Sequence, residues 1–145
     1  MALKRIPPIG KILLKEADGT PMNAEPDGSQ SWAKGHSPAS KFWENAMAKR
    51  RRAGLRRVRE AGGKIEGASE TTEDKVEFLL EVLTEFSPGV VEGIPGSMKE
   101  QIETILRDPE FGYLRDQLDT ASQDWGSFLD DSATHSGSTS DNSPG

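Results

Sequence analysis

The chain has no cysteine, one tyrosine and two histidines among its 145 residues. Without thiols there is no disulfide framework, no thiolate zinc site and no cysteine nucleophile. His36 and His135 are the only imidazoles, and His135 sits in a polar tail. A Ser-His-Asp triad would have to use His36 in a Gly-flanked loop, and no GxSxG-type context accompanies it. A glycine-rich phosphate cradle is missing as well. Long apolar runs are also absent: nothing approaches eighteen consecutive apolar residues, so no membrane-spanning helix is expected. At the start, MALKRIPPIGKILL, the short apolar stretch is interrupted by Pro7, Pro8 and Lys11, and no small-residue cleavage site follows. These shortages predict a soluble cytoplasmic protein with no catalytic residues, no metal ligands and no cofactor.

Apolar residues are themselves scarce, at 33%. Residues 131–145 contain a single one, Ala133, and cannot bury enough surface to offset ordering entropy; a disordered tail is expected there. The first forty residues are rich in Pro and Gly. Roughly ninety residues remain for a core, near the size at which a lone domain is marginal and often completes its core with another chain.

What the sequence has in quantity is charge, unevenly placed. Residues 41–59 hold eight Lys or Arg against one Glu, whereas residues 60–131 hold five against eighteen Asp or Glu. Such a split can be satisfied within the molecule or between copies, and it steers partners.

Asp18-Gly19 and Asp27-Gly28 mark turns in the N-terminal section. Lys11–Lys15 could be a strand, with Pro21–Ala24 as a poor mate, so residues 1–36 read as an extended arm or a weak hairpin. A helical domain is expected over 37–130. Its first helix, about 37–61, takes Ser37 as N-cap with Pro38 at the first helical position, and stops at Gly62-Gly63. Phe42, Trp43, Ala46 and Met47 make one apolar patch on it, Leu55 and Val58 a second, and Lys49–Arg52 lies between. The second helix, about 72–86, opens with Thr71 and Asp74 at capping-box spacing. Val76, Leu79, Leu80, Leu83 and Phe86 form its stripe, and Glu73, Glu77, Glu81 and Glu85 its acidic ridge. A third, 97–107, carries Met98, Ile102, Ile105 and Leu106. Asp108-Pro109 breaks it and caps the last, about 109–129.

On a 100° wheel, Phe111, Leu114, Leu118, Ala121, Trp125, Phe128 and Leu129 of that last helix share one face. Asp116, Asp119 and Gln123 point the other way, which assigns the two carboxylates to a solvated face rather than a metal site. Trp125 and Phe128 are expected in the core. Tyr113, on the polar side near Gln117 and Asp124, is the kind of exposed aromatic that interfaces favour. The basic run 49–59 reads three ways: a solvated face partly paired with the acidic ridge, a surface for a protein partner, or a phosphate-binding surface.

The closing stretch, DPEFGYLRDQLDTASQDWGSFL, resembles the terminal motif of the tail assembly chaperones of long-tailed bacteriophages. Asp108, Pro109, Gly112, Tyr113, Leu114, Arg115, Asp116, Gln117 and Leu118 match its first part, and Asp124, Trp125 and Phe128 the second. Gly35-His36-Ser37-Pro38-Ala39-Ser40-Lys41-Phe42, followed by an arginine-rich helix, is similar to the family's upstream pattern. The chain departs from that pattern in its GSQSWAKGHSP insert and polar tail. The resemblance implies a mainly α, non-enzymatic protein of the host cytoplasm, absent from the mature virion. It implies binding to the tape measure protein, keeping that protein soluble until tail-tube subunits assemble, with self-association in some members. The surface expected to meet the client comprises Phe42, Trp43 and Met47, with Arg50, Arg51, Tyr113 and Gln117 as further contacts. The alternative is a nucleic-acid-binding or structural phage protein that uses helix 49–59; membrane contact is not expected.

Overall fold

The computed structural model describes residues 3–62 and 71–128. The expected tail at 131–145, together with Leu129 and Gly63, lies outside them. Helical residues, those of two 3-10 turns included, make up 53% of the described structure, with five α-helices beside a three-stranded antiparallel sheet. The strands are β1 (Ile9–Leu13), β2 (Trp32–His36) and β3 (Leu83–Phe86), in the order β1-β2-β3. The helices are α1 (Lys41–Glu60), α2 (Thr72–Val82), α3 (Pro88–Val91), α4 (Met98–Arg107) and α5 (Gly112–Ser122).

The N-terminal section is no arm, and the weak hairpin expected with residues 21–24 is short: the Glu16 amide donates to the Thr20 carbonyl and the Met22 amide to the Leu14 carbonyl. Lys15 meets Pro21 in an isolated bridge, while β1 takes β2 as its partner from Ile9↔His36 to Leu13↔Trp32. The expected insert thus supplies the central strand. Burial alternates along both strands, with Gly10, Ile12, Ala33 and Gly35 facing inward. A Cβ at Gly35 would stand 2.9 Å from the Val82 carbonyl oxygen, so the end of α2 approaches the sheet where β2 has no side chain.

The second expected helix stops four residues early. α2 ends at Val82, and Leu83–Phe86 turns into β3. Leu83 and Phe86 are both buried, a spacing of three that imitates a helical stripe. The cause is a bulge. Lys34 faces Glu85 and Gly35 faces Leu83, so Thr84 has no opposite number. The extra residue restores the inward face after an odd step. The Thr84 hydroxyl donates to the Lys34 carbonyl across the irregularity.

α1 starts three residues later than expected. The Ser37 hydroxyl donates to the Pro7 carbonyl instead of capping the helix, and the Ser40 hydroxyl accepts from the Phe42 amide as the true N-cap. α2 and α4 both open with the capping boxes that their sequences announce, Thr71 with Asp74 and Ser97 with Glu100. The last expected helix is divided. A 3-10 turn covers Pro109–Phe111, α5 stops at Ser122, and a second 3-10 turn covers Trp125–Phe128. Asp124 makes that break: its carboxylate accepts from the Gly126 amide and its carbonyl from the Ser127 amide.

The core lies between the inner sheet face and the helices. Ile12, Leu14, Ala33 and Phe86 of the sheet side meet Val76, Leu79, Ile102, Ile105, Leu106, Leu114 and Leu118. Phe128 covers β1 from the far end of the chain: a Cβ at Gly10 would lie 2.8 Å from its ring. The 22–31 loop is pinned to the start of α3 by Glu25, whose carboxylate accepts from the Gly89 amide and from the Ser31 and Ser87 hydroxyls. Burial alone would push this carboxyl up, yet those donors hold it below its ordinary value.

Candidate functional site

The residues of the closing motif are brought together, and most of them hold the fold. Asp108 ends α4 and accepts from the Glu110 amide, so its assigned capping role is correct, with Pro109 opening the turn it caps. Leu114 and Leu118 are core residues. Gln117 reaches back to the chain just beyond β1: its carboxamide oxygen accepts from the Lys15 amide at 2.9 Å and its nitrogen donates to the Lys15 carbonyl at 2.8 Å. This side chain occupies the place of a neighbouring strand, which accounts for a glutamine in a helix that passes the sheet edge. Gln117→Ala is expected to lower stability by about 1 kcal/mol and to speed hydrogen exchange at the Lys15 amide. An unchanged exchange rate there would contradict this role.

Gly112 has no comparable reason to be glycine. Its φ is −55°, and an added Cβ would meet only the flexible end of Arg115. Arg115 in turn lies 3.4 Å from Asp116, which also receives Lys75 at 3.5 Å. Tyr113 is half-buried against the core rather than exposed, and burial, helped by the Glu16 charge, raises its phenol above the ordinary value.

Two assignments reverse. Asp119 is buried, not solvated: its carboxylate accepts from both terminal guanidinium nitrogens of Arg50, at 2.6 and 3.1 Å, and from the Gln123 side-chain amide at 3.2 Å. Arg50 also lies over the Phe78 ring. Trp125 is 53% exposed, because the break at Asp124 turns it away from the face that Phe128 shares. The wheel assumed one continuous helix through both.

The expected Phe42-Trp43-Met47 surface is likewise dismantled. Met47 is buried, and Trp43 is half-buried, edge-on to Phe78 with its indole N–H donating to the Ser122 carbonyl at 2.8 Å. Phe42 alone of the three is open, at 65% exposure, and Leu55 further along α1 is 62% exposed. The basic run is partly neutralised. Lys49 pairs with Glu81, Arg50 with Asp119 and Arg57 with Asp74. Arg51, Arg52, Arg56 and Arg59 have no ion-pair partner among the described residues. Glu73 of the acidic ridge serves Arg107 instead, and Glu85 stands on β3.

The outer face of the sheet carries what the sequence reading missed. The cross-strand pairs Leu13–Trp32, Lys11–Lys34 and Ile9–His36 all point away from the core. The ammonium groups of Lys11 and Lys34 lie 5.0 and 5.1 Å from the Trp32 ring centre. His36 stacks on Phe42 at 4.5 Å, joining this face to the start of α1. Burial lowers the His36 imidazole below its ordinary value, which keeps it neutral at pH 7. The alternation in WAKGH was the available signal; strand-poor Gly35 and the lysine hid it. A groove of about 700 Å³ between β1 and α5 mixes Lys11 and Lys15 with Asp116 and Asp124. Among the described residues no group of three or more His, Asp or Glu gathers to hold a metal; Asp119 and Asp116 are engaged by Arg50 and Lys75. No described helix is long and apolar enough to cross a membrane. Set against models of known protein families, curated proteins and solved structures, the chain matches none.

Proposed function

We propose that this chain is a tail assembly chaperone of a long-tailed bacteriophage. In this reading it acts in the host cytoplasm, holds the tape measure protein in solution, hands it to tail-tube subunits and is left out of the virion. The reading rests above all on the stretch from Asp108 to Phe128 and its resemblance to that family. Two physical features suit the role. Phe42, Leu55 and Trp125 stand exposed, as do Ile9 and Leu13, on a chain in which 29% of residues are charged, so apolar contact with a client is available without loss of solubility. Most of the motif residues are spent on folding, Trp125 excepted, which leaves client contact to the exposed side chains.

The test is co-expression with the tape measure protein of the same phage. The wild-type chain should move the client from the pellet to the soluble fraction. Phe42→Asp with Leu55→Asp should reduce the soluble client several-fold while the helical circular dichroism stays the same. Trp43 is unsuitable for this purpose, since its replacement would break a bond to Ser122. A client equally insoluble with and without the wild-type chain sinks the proposal. Arg51, Arg52, Arg56 and Arg59 of α1, which have no ion-pair partner among the described residues, favour one other reading, a nucleic-acid-binding phage protein. A gel shift that weakens with salt, obtained at moderate ionic strength, would replace the first reading with this one.

A further inference from the structure

The outer sheet face is a small, ordered pattern rather than a general patch. Along the strands, an apolar pair, Leu13–Trp32, is followed by the lysine pair Lys11–Lys34 and then by Ile9–His36, extended by Phe42. Glu85, opposite Lys34, is the only carboxylate in those strand pairings. Ile9, Leu13 and Phe42 are among the few large apolar side chains left open in the described structure. The two apolar rows are four residues apart on a strand, roughly 13 Å. A helix laid along that direction repeats a face every seven or eight residues, roughly 10–12 Å.

We propose that this face is a docking surface for an acidic amphipathic helix of a partner protein. Two apolar anchors, seven or eight residues apart, seat on Leu13–Trp32 and on Ile9–Phe42. A carboxylate midway between them meets the ammonium groups of Lys11 and Lys34. Charge favours this occupant: Lys11 and Lys34 outnumber Glu85 on this face of a chain whose net charge is −6, so a carboxylate is attracted here, and the flanking apolar rows set the face apart from the arginines of α1. Aliphatic Ile9 and Leu13 suit helix side chains better than nucleotide bases, which stack on aromatic rings. Identifying the helix as part of a tape measure protein rests on the chaperone reading; the surface itself does not.

The experiment titrates the full chain into labelled synthetic peptides and reads fluorescence anisotropy. One peptide is a helix of about 18 residues with Leu-Glu-Leu at i, i+4 and i+7, long enough to cross the face. A second replaces each Glu by Gln, and the third probe is an oligothymidine. The acidic peptide should bind, and the Gln peptide should bind roughly tenfold more weakly. Lys11→Gln with Lys34→Gln in the chain should cause a similar loss, as should Phe42→Ser, while Lys99→Gln on α4 should have no effect. The peptide comparison uses wild-type protein, so it decides the matter even if a variant misfolds. Equal binding of both peptides, or no binding, overturns the proposal. So does oligothymidine that binds more tightly and competes, or a chain dimer that the lysine variant dissociates. Should the designed helix bind and the tape measure protein fail to be solubilised, the surface stands and the chaperone reading falls.

Discussion

Asp119→Ala should destabilise the protein by about 3–5 kcal/mol, since it withdraws the carboxylate from a buried guanidinium. The side chains of Arg50 and Asp119 are 8% and 11% exposed, so water cannot replace the lost contacts. Arg50 would keep its place over Phe78 but lose both carboxylate oxygens at once. Urea unfolding should show the midpoint falling with little change in slope. The double variant Arg50→Met with Asp119→Leu should recover most of the loss, because two apolar side chains need no partner. If Asp119→Ala unfolds within 1 kcal/mol of wild type, the pair is not the lock between α1 and α5 that its geometry indicates.

Gly89→Ala should be nearly as severe, at about 3 kcal/mol. A Cβ there would overlap the Ala24 carbonyl and the Glu25 carboxylate. The 22–31 loop would have to withdraw, and Glu25 would lose the Gly89 amide and the Ser87 hydroxyl together. Thermal unfolding checks the size of the effect. A second measurement gives the cause: Glu25→Gln should lower stability at pH 7 and, combined with Gly89→Ala, add little. Full additivity would mean that the clash acts through some other contact.

The helices were legible where the sequence carries its own punctuation. Thr71 with Asp74, Ser97 with Glu100, and Asp108-Pro109 each mark a helix end by local hydrogen bonding, and the structure keeps all three. Of the sheet only β1 was legible, offered as a strand over Lys11–Lys15; β2 and β3 were not, because their evidence is non-local. Leu83 and Phe86 fit a helix by spacing, and only the bulge opposite Lys34-Gly35 explains why both face inward on a strand. Asp119 was read from its own helix, where it faces away from the stripe; the residue that buries it, Arg50, is 69 positions away. Trp125 was misplaced for the opposite reason, a purely local one. Asp124 resets the helical phase just before it. Among the residues singled out for partner contact, Phe42 is open while Trp43, Met47 and Tyr113 pack inward, and nothing in their spacing distinguishes them. Only the neighbour each one meets does so.

The placement of Phe128 against Gly10 has a consequence for how the chain is made. The inner face of β1 and β2 is complete only when β3 has paired with Ala33 and Phe128 has reached Gly10. During synthesis, the residues of the first two strands emerge long before either partner exists. Their apolar side, Ile12, Leu14 and Ala33, therefore waits uncovered until almost all of the described chain has left the ribosome. Folding is governed by contacts of long sequence separation, so it should be slower than the helical content alone would suggest.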